Sequence, residues 1–376
     1  LTAIRVVKAY VREDYEKVKF AQVNQELKSI SEKSFRTAVL NMPAMQLVMY
    51  TTIICILWFG GKLIFAGEMQ VGELTGFLSY VLQILNSLMM ISNVFLMLTR
   101  AMASGKRILD VLDEEIDLKE DPEATGEIKA GEIEFRNVSF KYKKEGKKYV
   151  LSNVSFHIEP GQTVGIIGGT GSAKSTLVQL IPRLYDVTEG EILIDQIPVK
   201  QYPLKHLREA VAMVLQKNTL FTGTIADNLR WGKEDASEEE LMKACRMACA
   251  DEFLLQMKDG LSSQVEQGGV NLSGGQKQRL CIARALLKRP RILILDDSTS
   301  AVDTATEAKI REALQNNLAD TTKIIIAQRI TSVMHADQIL IMEDGKLNDC
   351  GTHEELLQRN EIYQEIYYSQ QEGCGL

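Results

Sequence analysis

The sequence has 376 residues, with 43 Lys or Arg, 50 Asp or Glu, and a formal net charge of −7. This length accommodates two or three domains, and the acidic balance argues against a nucleic-acid partner, which calls for a basic face. The composition divides sharply: uncharged segments concentrate before Met102, whereas charged residues are spread through everything after it.

Two long uncharged segments, residues 37–61 and 74–99, predict membrane-spanning helices. Each has about 25 residues, enough to cross a hydrocarbon layer of roughly 30 Å. Two fully buried helices of a soluble core are the weaker alternative, because such helices seldom stay uncharged for more than about 14 residues. Lys and Arg precede the first segment and follow the second, but none lies in the link Phe65–Gly72. This pattern predicts an all-α hairpin whose outer ends are cytoplasmic.

The sequence opens inside a predicted helix and has no initiator methionine. A hairpin alone would leave its polar helix faces without partners, so we expect further spans to precede it in a longer chain. We predict three regions: a membrane region over residues 1–109, a polar, acid-rich linker over residues 110–130, and an α/β domain over residues 131–376.

The α/β domain begins with two predicted strands, EIEFRNVSFKY and VLSNVSFHI, and continues into TVGIIGGTGSAKSTLVQLI. There an apolar strand, a glycine-rich turn and a helix follow one another, as in a phosphate-binding loop. Backbone N–H groups and the helix N-terminus favour phosphates, Lys174 reaches the β/γ oxygens, and the Ser175 hydroxyl ligates Mg²⁺. Ala173 stands where the motif has glycine, and its methyl group either crowds the phosphates or stiffens the loop. The predicted phosphate-binding residues are Gly169, Thr170, Gly171, Ser172, Ala173, Lys174, Ser175 and Thr176.

Two further motifs belong to the same chemistry. The apolar strand in RILILDDSTSAVD ends at Asp296, a carboxylate placed to hold Mg²⁺. Before it, NLSGGQKQRLCIARALL places a serine hydroxyl and glycine amides ahead of a predicted helix, which makes a second phosphate site from Ser273, Gly274, Gly275 and Gln276. Two half-sites so far apart in sequence predict two such domains facing head to tail, each completing the other's site.

The segment from about residue 217 to residue 290, which carries the second phosphate site, is predicted to be a helical subdomain. In EDASEEELMKACRMACADEFLLQM, Ser237 is placed to cap a helix. Leu241, Ala244, Cys245 and Ala248 follow at helical spacing and predict its buried face.

Together these motifs resemble those of the ATP-binding cassette (ABC) exporters of the B-type, with an MsbA-like fold, and the resemblance covers essentially the whole chain. It implies ATP and Mg²⁺ as ligands, adenine stacking on Tyr142, and a Gln216 in VLQKNTLF that joins Mg²⁺ to the membrane domain. It also implies a coupling helix over residues 2–10 and a D-loop over residues 300–303. Each of these residues also has a plainer interpretation without a role in nucleotide binding. Tyr142 would be an ordinary aromatic residue of a strand, Gln216 would be a surface residue, and Asp303 would cap a helix.

Two positions depart from the family pattern. The family's usual glutamate, the base that polarises the attacking water, is replaced by Asp297, whose shorter side chain leaves the carboxylate about 1 Å or more away. The usual switch histidine in IIIAQRITSV is Gln328, which donates a hydrogen bond to the γ-phosphate but carries no positive charge. The family's signature motif, which is LSGGQ at residues 272–276 of this sequence and contains the second phosphate site, is intact. This combination resembles the degenerate-site subunit of heterodimeric bacterial multidrug-type exporters.

The resemblance therefore implies a half-transporter in the cell inner (plasma) membrane that exports small hydrophobic or amphipathic compounds, with its ATP-binding domain in the cytoplasm. A second half-transporter chain would supply the catalytic Glu and the switch His. Asp297, Gln328 and Gln216 would act in catalysis, and Ser175, Gln216 and Asp296 would hold Mg²⁺. The alternatives are a regulatory or channel-like ABC subunit, a lipid or peptide exporter, and a soluble cassette ATPase, which would lack the spans.

Overall fold

The computed structural model describes residues 4–143, 146, 148–297 and 302–372. The chain divides into two compact units, Leu1–Glu115 and Ile116–Leu376. The division falls inside the acid-rich segment that we interpreted as a linker.

The first unit is helical. Its helices are α1 (Ile4–Ala9), α2 (Glu13–Phe65) and α3 (Val71–Leu112). Helix α2 has 53 residues, and at 1.5 Å per residue it is roughly 80 Å long, well beyond the thickness of a bilayer. Helix α1 lies within the predicted coupling helix, and α3 continues three residues into the predicted linker.

Within the described residues, two helical segments are long and apolar enough to cross a membrane, Met42–Phe65 and Val71–Ile91. Almost none of either segment is buried inside the protein. A core helix of a soluble protein is mostly buried, so this exposure favours the membrane interpretation over the alternative. The turn between them ends in a capping box at the start of α3, in which the Gln70 backbone N–H donates to Glu73 Oε2 at 2.9 Å.

The second unit alternates strands and helices. The described strands are β1 (Ile133–Phe140), β2 (Leu151–Ile158), β3 (Thr163–Gly168), β4 (Glu189–Ile194), β5 (Ile197–Pro198), β6 (Val211–Val214), β7 (Gly223–Thr224), β8 (Gln264–Val265), β9 (Ile292–Asp296), β10 (Thr322–Ile326), β11 (Gln338–Glu343) and β12 (Lys346–Gly351). The described helices are α4 (Lys174–Gln179), α5 (Leu204–Ala210), α6 (Ile225–Arg230), α7 (Glu238–Met247), α8 (Asp251–Leu254), α9 (Gly274–Leu287), α10 (Thr304–Asn317), α11 (His353–Arg359) and α12 (Glu361–Glu372).

A six-stranded sheet in the order β12-β11-β3-β10-β9-β6 forms the centre of this unit. All neighbouring pairs are parallel except β11 and β12. Its central strands are near-continuous apolar runs, as expected for parallel strands that are buried on both faces. A separate antiparallel sheet has the order β2-β1-β4-β5, and its apolar side chains share a core cluster with α4 and one face of the larger sheet.

The segment predicted to be a helical subdomain contains α6 to α9 and the short antiparallel pair β7–β8. Ser237 caps α7, because its hydroxyl oxygen accepts the Glu240 backbone N–H at 3.3 Å. The four apolar positions predicted to face inward from α7 and its C-terminal end are buried. The predicted cap and buried face are therefore confirmed.

Candidate nucleotide-binding site

The predicted site residues lie where four adjacent parallel strands end. The phosphate loop follows β3, Gln328 follows β10, Asp296 ends β9, and Gln216 follows β6. Since β3, β10, β9 and β6 are consecutive in the sheet, their carboxyl ends meet at one edge, where ligands bind in sheets of this class.

The phosphate loop is closed around the Lys174 ammonium group. Lys174 Nζ donates to the carbonyl oxygens of Gly168 and Gly169, both at 2.8 Å, and to Ser172 Oγ at 3.3 Å. Burial lowers the pKa of Lys174, while Asp297 and Asp296 act in the opposite direction. The cation is therefore held at the concave side of the loop, where phosphates would bind.

The loop leaves its strand at a position that excludes side chains. Gly168 has φ +157°, and a Cβ atom built there would overlap the carbonyl oxygen of Met342 on β11. Glycine is required here for the close approach of the two backbones.

Ala173, the departure from the glycine pattern, adopts a left-handed conformation with φ 69° and ψ 20°. A non-glycine residue pays roughly 1–2 kcal/mol for this conformation. Its half-buried side chain packs against the core cluster shared by the two sheets. This packing favours the interpretation in which the methyl group stiffens the loop.

Ser175 and Asp296 form the candidate Mg²⁺ site. The Ser175 hydroxyl donates to Asp296 Oδ1 at 2.9 Å. Asp296 is only 2% exposed, and burial raises its pKa, opposed by the bond from Ser175. A hydroxyl and a carboxylate are hard oxygen ligands, and a bound cation would offset the cost of burying the charge. The residues therefore fit Mg²⁺, which would draw its other ligands from nucleotide and water.

The Asp297 carboxylate meets both of the other residues predicted to act in catalysis. Gln328 Nε2 donates to Asp297 Oδ2 at 2.7 Å, and Gln216 Nε2 donates to the same oxygen at 3.3 Å. Asp297 is 8% exposed, and its own backbone N–H donates to the Ile326 carbonyl at 3.0 Å. The structure thus brings two amide groups, from the segments that follow β6 and β10, to one oxygen of a carboxylate that follows β9.

Tyr142 is joined to the phosphate loop through Thr176, since their hydroxyl oxygens lie 2.9 Å apart. The ring is edge-on to Phe140 at 4.9 Å and to Tyr185 at 5.2 Å, measured between centroids. At 52% exposure, it retains surface for stacking on a base. Tyr185 was not predicted, because a single aromatic residue after a helix carries no sequence signal for this pairing.

The signature residues form the N-terminus of α9. Ser273 Oγ accepts the Gln276 backbone N–H at 3.3 Å, and Gln276 Oε1 accepts the Ser273 backbone N–H at 2.9 Å. Capping uses the serine oxygen as an acceptor, so its hydroxyl hydrogen can still be donated to an anion. Ser273 and Gly274 are exposed. This end of the helix is therefore open to a phosphate supplied from outside.

Asp303 caps α10, as the plainer alternative predicted. Its carboxylate accepts the Thr306 backbone N–H at 2.9 Å and the Thr306 hydroxyl at 2.8 Å. The backbone bond is the main cause of its lowered pKa. Ser300 and Ala301, the first half of the predicted D-loop, lie outside the described residues.

Comparisons with known proteins place these features in one family. The family model "ABC transporter" matches residues 151–300, and "ABC transporter transmembrane region" matches residues 1–88. The Bacillus subtilis (strain 168) ABC transporter ATP-binding protein YfiB is 45% identical over 370 residues. The ATP-dependent lipid A-core flippase of Desulfotalea psychrophila is 35% identical over 371 residues. Both alignments cover 98% of this chain, which spans 64% of each relative's length.

The fold agrees with these matches. The solved structure of a bacterial Atm1-family ABC exporter with ATP bound superimposes with a TM-score of 0.87 at 30% identity, covering 98% of this chain and 65% of that one. A transmembrane region and an α/β ATPase domain, each matched by an ABC transporter family model and matched together by an exporter structure, show that the chain belongs to the ABC transporter family and has the fold of an ABC exporter.

Proposed function

We propose that this chain is the degenerate-site subunit of a heterodimeric ABC exporter that uses ATP to move hydrophobic or amphipathic compounds across the plasma membrane. Its own phosphate loop holds MgATP at a site that hydrolyses slowly. Its signature residues complete the working site on a second half-transporter chain, which carries the catalytic Glu and the switch His. The amphipathic cargo is supported by the relative named a lipid A-core flippase.

The contacts of Asp297 are the observation that carries this proposal. A general base must reach the attacking water and offer it a lone pair. Asp297 is one methylene shorter than the family's glutamate, and its Oδ2 already accepts two amide hydrogens, from Gln328 and Gln216. Both the reach and the acceptor capacity of the carboxylate are therefore reduced.

Binding of the nucleotide does not depend on that carboxylate. Lys174 lies at the concave side of the loop, and Ser175 lies beside Asp296. These groups would hold the phosphates and Mg²⁺, and Mg²⁺ would neutralise charge on the phosphate oxygens. Gln328 keeps a hydrogen-bond donor near the phosphates but supplies no positive charge. The site is thus equipped to bind MgATP and poorly equipped to cleave it.

The exposed signature supports the second half of the proposal. Ser273 is ordered by its capping bonds and keeps a hydroxyl hydrogen to donate. If this chain's own site is impaired, its intact signature is explained by a role in the partner's site.

Retention of ATP tests the proposed function. We expect the full-length heterodimer to retain one MgATP per dimer after rapid desalting, recovered as ATP and not as ADP, because binding is preserved while cleavage is slow. Lys174→Ala should abolish this retention, since hydrogen bonds to charged groups are worth about 1.5–3 kcal/mol, or roughly 10- to 100-fold in affinity. Recovery of ADP alone, or of no nucleotide, would contradict the proposal.

The membrane orientation has its own test. In a Cys55→Ser background on intact cells, Glu68→Cys should react with an impermeant thiol reagent and Gly105→Cys should not. Glu68 is exposed in the turn between α2 and α3, and it suits the test better than Gly67, whose φ of +78° strains any other residue. Labelling of Gly105→Cys in place of Glu68→Cys would reverse the orientation.

A further inference from the structure

Helix α12 is hydrogen-bonded to the segment that carries Gln328. Gln370 Oε1 accepts the Ile330 backbone N–H at 2.9 Å, and Gln370 Nε2 donates to the Gln328 carbonyl oxygen at 2.8 Å. One side chain therefore holds the backbone at two points, one on either side of Arg329. We call this pair of hydrogen bonds the grip. Neither the phosphate-binding motifs nor the departures at Asp297 and Gln328 involve this helix.

Helix α12 is itself held in place by buried contacts near its start. Tyr363 near its start is fully buried, and its hydroxyl lies 2.7 Å from His353 Nδ1 on α11. The Tyr363 backbone N–H donates to Asn360 Oδ1 at 2.9 Å, and Ile366 packs against the core. The position of Gln370 is thus set by contacts that lie one and two turns earlier in the helix.

The segment held by Gln370, residues 328–330, also contacts the candidate site. The side chain of Gln328 bonds Asp297 Oδ2 at 2.7 Å, while its backbone carbonyl bonds Gln370. On the far side of the segment, Arg311 donates to the Thr331 carbonyl at 3.2 Å. Because the backbone is held at Gln328, Ile330 and Thr331, the position from which the Gln328 side chain reaches the carboxylate is fixed.

We propose that Gln370 is a positioning residue, which fixes the backbone of the Gln328 segment so that the Gln328 amide faces Asp297 and the phosphate site. Its influence on nucleotide rests on the proposed function, whereas the grip itself does not. Through Gln370, displacement of the end of α12 alters how long the site holds ATP.

Amide hydrogen exchange tests the grip in the full-length protein without nucleotide. Gln370→Met keeps the side-chain length and removes both bonds, so exchange at the Ile330 amide should become about 5- to 30-fold faster, as expected for one or two hydrogen bonds. Gln364→Met is the matched control, because Gln364 on the same helix donates to the Leu357 carbonyl at 2.8 Å. Unchanged exchange at Ile330, or an equal rise in both variants, would overturn the proposal.

ATP retention in the full-length heterodimer tests whether the grip acts through Gln328. Gln370→Met should shorten the retention time roughly fivefold, the effect of about one hydrogen bond, and Gln370→Glu, which keeps only the acceptor for Ile330, should have an intermediate effect. In a Gln328→Ala background, Gln370→Met should add nothing. A further loss in that background, or no loss from Gln370→Met alone, would show that Gln370 does not act on the site through Gln328. If the unaltered protein retains no ATP, the proposed function fails while the exchange measurement still decides the grip.

Discussion

Ser273→Ala is expected to lower the steady-state ATP turnover of the assembled transporter by roughly 100- to 1000-fold, the usual consequence of losing one transition-state donor worth about 2.7–4 kcal/mol. Asp297→Asn should change turnover only modestly. The difference follows from the proposed division of labour, in which Ser273, exposed at the N-terminus of α9, serves the partner's working site and little hydrolysis passes through Asp297.

The Asp297→Asn substitution is conservative in this structure. An asparagine carbonyl oxygen can still accept the hydrogen bond from Gln328 Nε2, so the geometry of the site should survive while the carboxylate is lost. A large effect would therefore report on chemistry and not on folding.

Ser237→Ala is the matched control for Ser273→Ala. Both serines form capping boxes at helix N-termini, Ser237 with Glu240 and Ser273 with Gln276. Each substitution should cost about 1 kcal/mol of stability, but only Ser273 is proposed to face a phosphate. Equal losses of turnover in the two serine variants would trace the effect to helix capping. A larger loss from Asp297→Asn than from Ser273→Ala would show that this chain's own site does the work.

The position of the candidate site was predictable because its motifs are local and the topology of the sheet is constrained. An apolar strand followed by a glycine-rich turn predicts the phosphate loop, and a second apolar strand that ends at Asp296 predicts the carboxylate. Parallel strands end at the same edge, so these two motifs must meet. The 2.9 Å contact between Ser175 and Asp296 realises that expectation.

Contacts that depend on tertiary packing gave no sequence signal. Gln370 is one of several glutamines and glutamates in a polar helix, and nothing in its spacing distinguishes it from Gln371. The pairing of Tyr142 with Tyr185 joins residues on different elements. For Ala173 the sequence left two alternatives open, because only the backbone conformation and the packing of the methyl group distinguish them.

Restoring the family residues should raise hydrolysis at this chain's own site. In a Ser273→Ala background, in which the partner's site is expected to be strongly impaired, Asp297→Glu combined with Gln328→His should increase the residual turnover by about 100-fold, the effect of moving a reacting group by roughly 1 Å. The added methylene brings the carboxylate to the attacking water. The histidine supplies a group that can carry positive charge toward the γ-phosphate.

The two exchanges are expected to depend on each other. Asp297 and Gln328 are in direct contact at 2.7 Å, so a longer carboxylate at position 297 must find its place beside the side chain at position 328, and the single variants should gain much less than the pair. Adding Lys174→Ala to the restored variant should abolish the gain, because the phosphates would lose the ammonium group that lies at the loop. A gain that persists without Lys174 would arise at another site. No gain from the paired exchange would show that Asp297 and Gln328 do not limit hydrolysis here.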